Sequence, residues 1–184
     1  MPTWLWVVIA VVAALIVVTL IWSARRSRRT RALKRRFGPE YDRVTSDASS
    51  RREAETELAG REERREQFDV RPLDPERQAH YTRQWQEMQS EFVDDPGGAV
   101  AGADRLIRSV MRERGYPVDD FDTRAADLST DHPEVVEHYR IAHGIAVSHE
   151  TGDADTEDLR RAIQHYRRLF TDLVESRSGE EVRT

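Results

Sequence analysis

The sequence predicts an all-α protein with an N-terminal transmembrane helix, a charged helical stalk and a C-terminal bundle of four to five helices. Three observations predict it. From Trp4 to Trp22 there are 19 residues without a charge. Beyond residue 71, apolar side chains recur at spacings of three and four, the period of one helix face. No segment alternates apolar and polar side chains as a half-buried strand does. The expected divisions are a transmembrane anchor with a basic juxtamembrane segment (1–36), a charged helical stalk or linker (37–70), a helical bundle (71–175) and a disordered tail (176–184).

As a helix, the uncharged run spans roughly 28 Å, close to the hydrocarbon thickness of a bilayer. Trp4 and Trp6 sit at one end and Trp22 at the other, where indole rings prefer the interface. Its Val and Ile residues are poor helix formers in water, but in lipid the backbone must satisfy its own hydrogen bonds. A buried core helix would need an apolar body to sheathe it, and 34% of this chain is charged.

Arg25, Arg26, Arg28, Arg29, Arg31, Lys34, Arg35 and Arg36 follow the run, and no charged side chain precedes it. The positive-inside rule then places the N-terminus outside and the C-terminal domain in the cytoplasm of a single-pass membrane protein. A cleaved signal peptide would carry its basic cluster before the apolar core and end in small residues. Here the segment ends Leu20-Ile21-Trp22, so it reads as a signal-anchor. The basic cluster fixes topology and solvates a helix end. A sharper, compatible reading adds attraction to anionic headgroups, worth about 1 kcal/mol per residue near the surface.

Residues 1–36 carry eight basic side chains and no acidic one, while the remainder carries 21 basic and 34 acidic. So acidic a body argues against nucleic acid as the main ligand, since phosphate binding needs a basic footprint. Cysteine is absent, which excludes disulfides, thiolate catalysis and cysteine zinc sites. The cations are 28 Arg and one Lys, and Asn is absent, a bias that reflects a GC-rich genome.

Phe37-Gly38-Pro39 breaks the helix that leaves the anchor. Phe37, Tyr41, Val44 and Ala48 then form a helical stripe that fades, leaving Leu58 nearly alone among Glu and Arg. Asp74-Pro75 and Asp95-Pro96 are N-cap signals with proline at the first helical position. The first opens a helix with Tyr81, Trp85, Met88 and Phe92 on one face. The second opens one with Val100, Ala103, Ile107, Val110 and Met111, ended by Gly115. A short helix over 119–128 presents Phe121, Ala125 and Leu128. Asp131-His132-Pro133-Glu134 reads as a capping box for a helix burying Val135, Val136, Tyr139, Ala142 and Ala146. After the loop Gly152-Asp153-Ala154-Asp155, the last helix carries Leu159, Ile163, Tyr166, Phe170 and Leu173.

No reactive constellation is visible, so no catalytic, cofactor-binding or metal-binding residue is expected. The histidines at 132, 138, 143 and 149 are spaced by six, five and six, and so face different ways. Glu134 and His138 stand four apart, the spacing of an ordinary surface pair. Asp119, Asp120 and Asp122 suit helix capping rather than a calcium loop. Gly97-Gly98 lacks a following Lys-Ser/Thr, and Asp94 and Asp95 would repel phosphate. His-Tyr recurs at 80, 138 and 165 without a fixed period. The stripe Tyr81, Trp85, Met88, Phe92 is core, or else a partner-binding groove.

Phe37-Gly38-Pro39-Glu40-Tyr41-Asp42-Arg43, Phe92-Val93-Asp94-Asp95-Pro96, Arg114-Gly115-Tyr116-Pro117-Val118-Asp119-Asp120-Phe121 and Ala125–Pro133 carry a resemblance. The chain resembles a family of bacterial single-pass membrane-anchored helical proteins of the high-GC Gram-positive type, sometimes labelled secreted. The resemblance runs from the anchor to about residue 174. It implies an architecture and no activity, and its label conflicts with the orientation that the charges give.

The expected function is a membrane-tethered helical interaction domain that binds a protein partner or itself, without enzymatic activity. The alternatives are a ligand-binding or enzymatic bundle with its site near residues 112–131, and an envelope-facing protein of reversed topology. The expected partners are the lipid bilayer and a protein partner or second copy, not nucleic acid, and no cofactor is expected.

Overall fold

The structure, a computed structural model, describes residues 3–176, and among them the side chains of all but residues 3, 5–14, 24 and 26. The described residues form eight helices and no strand: α1 (Thr3–Phe37), α2 (Pro39–Asp47), α3 (Arg51–Arg65), α4 (Pro75–Glu91), α5 (Pro96–Arg114), α6 (Phe121–Asp131), α7 (Val136–Glu150) and α8 (Thr156–Glu175). The all-α class therefore holds. The tail from Arg177 onward, most of the expected 176–184 segment, lies outside the described residues.

Local chemistry sets most boundaries. The carboxylates of Asp74, Asp95 and Asp120 accept hydrogen bonds from the amides of Arg77, Gly98 and Thr123. Asp155 and Asp158 cap α8 reciprocally. Gly115 ends α5 at φ +92°, where only glycine is unstrained, and an added Cβ would lie 2.4 Å from the Asp69 carbonyl oxygen. Gly38, at φ +46°, turns the chain from α1 into α2, with Pro39 as the first helical residue.

The expected capping box at 131–134 does not form. α6 runs on to Asp131, His132 caps its C-terminus, and α7 starts at Val136 with no side-chain cap. The Asp131 carboxylate is taken by Arg65 and Tyr116, so it is not free to cap a helix. Glu134 instead lies against the turn at Gly38.

Two hydrophobic cores result among the described residues. The larger joins α4 to α8 and the 70–73 and 116–118 connections, with Ile107, Met111, Tyr139, Tyr166 and Leu173 fully buried. In it the stripe finds its place: Tyr81, Trp85 and Met88 are buried, Phe92 packs against their cluster, and Trp85 stacks on Phe170 at 4.6 Å. These side chains meet the bundle rather than an open groove. The smaller core holds Leu33 and Phe37 of α1, Tyr41 and Val44 of α2, and Ala54 and Leu58 of α3. Residues 37–70 thus fold back on α1, and Leu58 is completely buried.

Among the described residues no helix is long and apolar enough to cross a membrane. Residues 5–14 of the expected anchor, Trp6 included, fall among those whose side chains are not described.

Candidate functional site

α1 changes character along its length without a break in its backbone. Leu15, Ile16, Val17, Val18, Leu20, Ile21 and Trp22 are exposed on every side of the helix, with Trp22 at 64%. Trp4 is exposed too. Three turns after Trp22, Leu33 and Phe37 are buried in the smaller core. Between them, Thr30 donates to the Glu55 carboxylate at 2.8 Å, and the same oxygen accepts from Tyr41. The apolar end and the folded body therefore share one rod.

The cations that follow Trp22 divide into two groups. Lys34 pairs with Asp42 at 3.3 Å and Arg36 with Glu62 at 3.4 Å. Arg25, Arg28, Arg29, Arg31 and Arg35 are exposed and make no ion pair among the described residues. The side chain of Arg26 lies outside those described.

Where the α1–α3 unit meets the bundle, the contact is ionic. Glu40, 1% exposed at its side chain, accepts from Arg61 at 2.7 Å, Arg43 at 2.9 Å and Arg140 at 2.8 Å. Burial alone would raise its pKa, but these hydrogen bonds outweigh it and hold the carboxyl at about 2. Arg64 pairs with Asp127 and Asp119, Arg65 pairs with Asp131, and Arg61 also donates to Ser129. So Asp119, Asp127 and Asp131 of the 112–131 region are spent on arginines of α3, and Asp120 on a cap. Of the Arg residues there, Arg124 donates to the Tyr139 hydroxyl at 3.1 Å. That phenol is pushed up to about 12, first by burial and then by nearby Asp104. Arg114, 2% exposed, donates to the carbonyls of Leu173 and Arg71 and to the Ser176 hydroxyl, strapping the end of α8 to the linker.

No family model, no curated protein and no solved structure matches the chain.

An open groove of about 680 Å³ runs between the start of α7 and the end of α8. Glu134, His138, Arg168 and Asp172 are among its walls. Asp172 holds the Nδ1 of His132, whose Nε2 is buried without a partner among the described residues. His138 and His165 meet Nδ1 to Nδ1 at 2.8 Å, and Arg168 stands 3.2 Å from the His138 Nε2. Burial, with Arg168 beside them, lowers both pKa values. The recurrence of His-Tyr at 138 and 165 does not reveal that the two rings meet, because 27 residues separate them. No group of three or more metal-ligating side chains forms among the described residues. A two-histidine site flanked by a guanidinium is poorly suited to a cation.

Proposed function

We propose that the protein is a single-pass, membrane-tethered helical interaction module that binds a protein partner or a second copy of itself and has no enzymatic activity. One observation carries this reading: α1 exposes apolar side chains on all sides at Leu15–Trp22 and, without interruption, buries Leu33 and Phe37 in the body. An apolar surface of that kind has no stable contact with water. Lipid solvates it, and the charge-free run from Trp4 to Trp22 is of bilayer length.

The arginines after Trp22 support a cytoplasmic body. Binding rather than catalysis is supported by how the charged side chains are used. At residues 112–131 the charged groups are largely engaged in pairs, caps and straps. The outer face of α7 leaves Ile141 and Val147 exposed around Gly144, which suits a helical partner.

Fractionation of cells expressing the full chain tests the tether. The protein is expected in the membrane pellet after alkaline carbonate washing, and in solution only with detergent. Recovery of intact protein in the soluble fraction overturns the reading. Protease treatment of intact cells and of inverted vesicles then tests topology: digestion of the body in intact cells establishes the reversed orientation instead.

A further inference from the structure

We propose that Arg25, Arg28, Arg29, Arg31 and Arg35 form a binding surface for anionic phospholipid headgroups, selecting negatively charged lipid around the base of α1. This deepens the tether reading and rests on it.

Arg43, Arg61, Arg64, Arg65 and Arg140 all meet carboxylates, as do Lys34 and Arg36 on α1 itself. Arg25, Arg28, Arg29, Arg31 and Arg35 make no such pair among the described residues, although the rest of the chain has a large excess of carboxylates. At 3.6 residues per turn, Arg28, Arg31 and Arg35 project opposite to Leu33 and Phe37, away from the acidic body. Arg25 and Arg29 flank that stripe. A guanidinium binds a phosphodiester through paired N–H donors, and an anionic leaflet supplies a field that reaches about a Debye length, ~8 Å.

Height along the helix ranks the five. At about 1.5 Å per residue, Arg25, Arg28 and Arg29 lie roughly 5–10 Å beyond Trp22, within headgroup depth. Arg35 lies roughly 20 Å beyond it and needs a tilted helix to reach lipid. Selectivity should therefore reside mainly in the first three.

The test reads the fluorescence of Trp22. Full-length protein carrying Trp4→Phe and Trp6→Phe is reconstituted into vesicles of brominated phosphatidylcholine or brominated phosphatidylglycerol mixed with unbrominated lipid. Trp85, stacked on Phe170 in the core, gives a constant background. The expected result is a preference for phosphatidylglycerol of about threefold or more, of the size that a few surface cations produce. It should fall to parity in the Arg25→Gln/Arg28→Gln/Arg29→Gln variant and survive in the triple Lys variant. It should also vanish in about 1 M salt, where the screening length is about 3 Å.

Equal quenching by both lipids overturns the proposal and leaves the tether standing. No quenching by either lipid overturns both. Loss of the preference on adding inorganic phosphate would assign the arginines to a soluble anion instead. If the Gln variant keeps its lipid preference but loses binding to a short single-stranded RNA, the surface belongs to nucleic acid and the proposal is overturned.

Discussion

Glu40 and Arg140 stand a hundred residues apart in the chain and share a two-pronged ion pair, with Nη1 on Oε2 and Nη2 on Oε1, both at 2.8 Å. The pair joins the first residues of α2 to the middle of α7. With the buried Asp127 carboxylate it is one of two buried ionic anchors in the seam that holds the α1–α3 unit on the bundle.

Replacing Glu40 should cost stability in a pH-dependent way. Its folded pKa is about 2, against 4.5 for the free group. A depressed carboxyl stabilises the fold above its unfolded pKa and loses that contribution as pH falls towards the folded one. The window is therefore pH 4.5 down to about 2. The full effect is about 3 kcal/mol. Thermal melts of wild type and Glu40→Gln between pH 7 and pH 2 should differ most at neutral pH and converge in acid. A difference that is constant with pH would show that the carboxylate charge is not what matters.

The seam should open before the bundle does. Arg64 is 43% exposed, so its pair with Asp127 is screened by solvent and salt. Arg64→Ala with Arg65→Ala should cost about 1–2 kcal/mol. Native-state hydrogen exchange should show α2 and α3 exchanging faster with rising salt while α5 and α8 stay protected. Equal protection throughout at high salt would contradict an ionic seam.

Leu58 fills the smaller core completely. Leu58→Ala should lower stability by about 2–5 kcal/mol, felt chiefly in α2 and α3. A cost below about 0.5 kcal/mol would mean that this core is not packed in solution.

Gly115→Ala combines a left-handed backbone with a clash against Asp69. A cost of about 2–3 kcal/mol is expected, visible as a lower denaturant midpoint without a changed slope. If the variant were as stable as wild type, the turn from α5 to Tyr116 would have to differ from the one described.

His138 and His165 titrate below the ordinary histidine value of 6.5 because they are partly buried and Arg168 adds a like charge. The unfolded chain then binds more protons, so stability falls as pH drops from about 6.5 towards the folded values and levels off below them. Glu137 opposes this for His138, while Arg161 adds to it for His165. His165→Gln should flatten the dependence of melting temperature on pH between 7 and 5. An unchanged slope would show that the pair does not titrate in this range.

What the sequence made legible was local. Asp74, Asp95 and Asp155 announce helix starts because their partners lie three residues away, and Gly115 and Gly38-Pro39 announce ends. The stripes of α5 and α8 are buried as their spacing requires. The false capping box at 131–134 arose because Asp131 and His132 answer to partners that spacing cannot reveal, Arg65 and Asp172. Leu58 stands nearly alone in the linear pattern because the side chains it packs with, Leu33, Phe37, Tyr41 and Val44, come from α1 and α2. The site features were legible in part. The arginines after Trp22 were plain, but which of them lack a carboxylate depends on Asp42 and Glu62, brought back by the turn at Gly38.

The unbroken backbone of α1 has a steric corollary. Phase is conserved along a helix, so the bearing of the body about the rod axis is set by the number of residues between Trp22 and Leu33. One inserted alanine swings the body by about 100° and lifts it by about 1.5 Å; four return it to within about 40° but raise it by about 6 Å. Insertions of one and of four residues would therefore separate a partner that recognises azimuth from one that recognises distance.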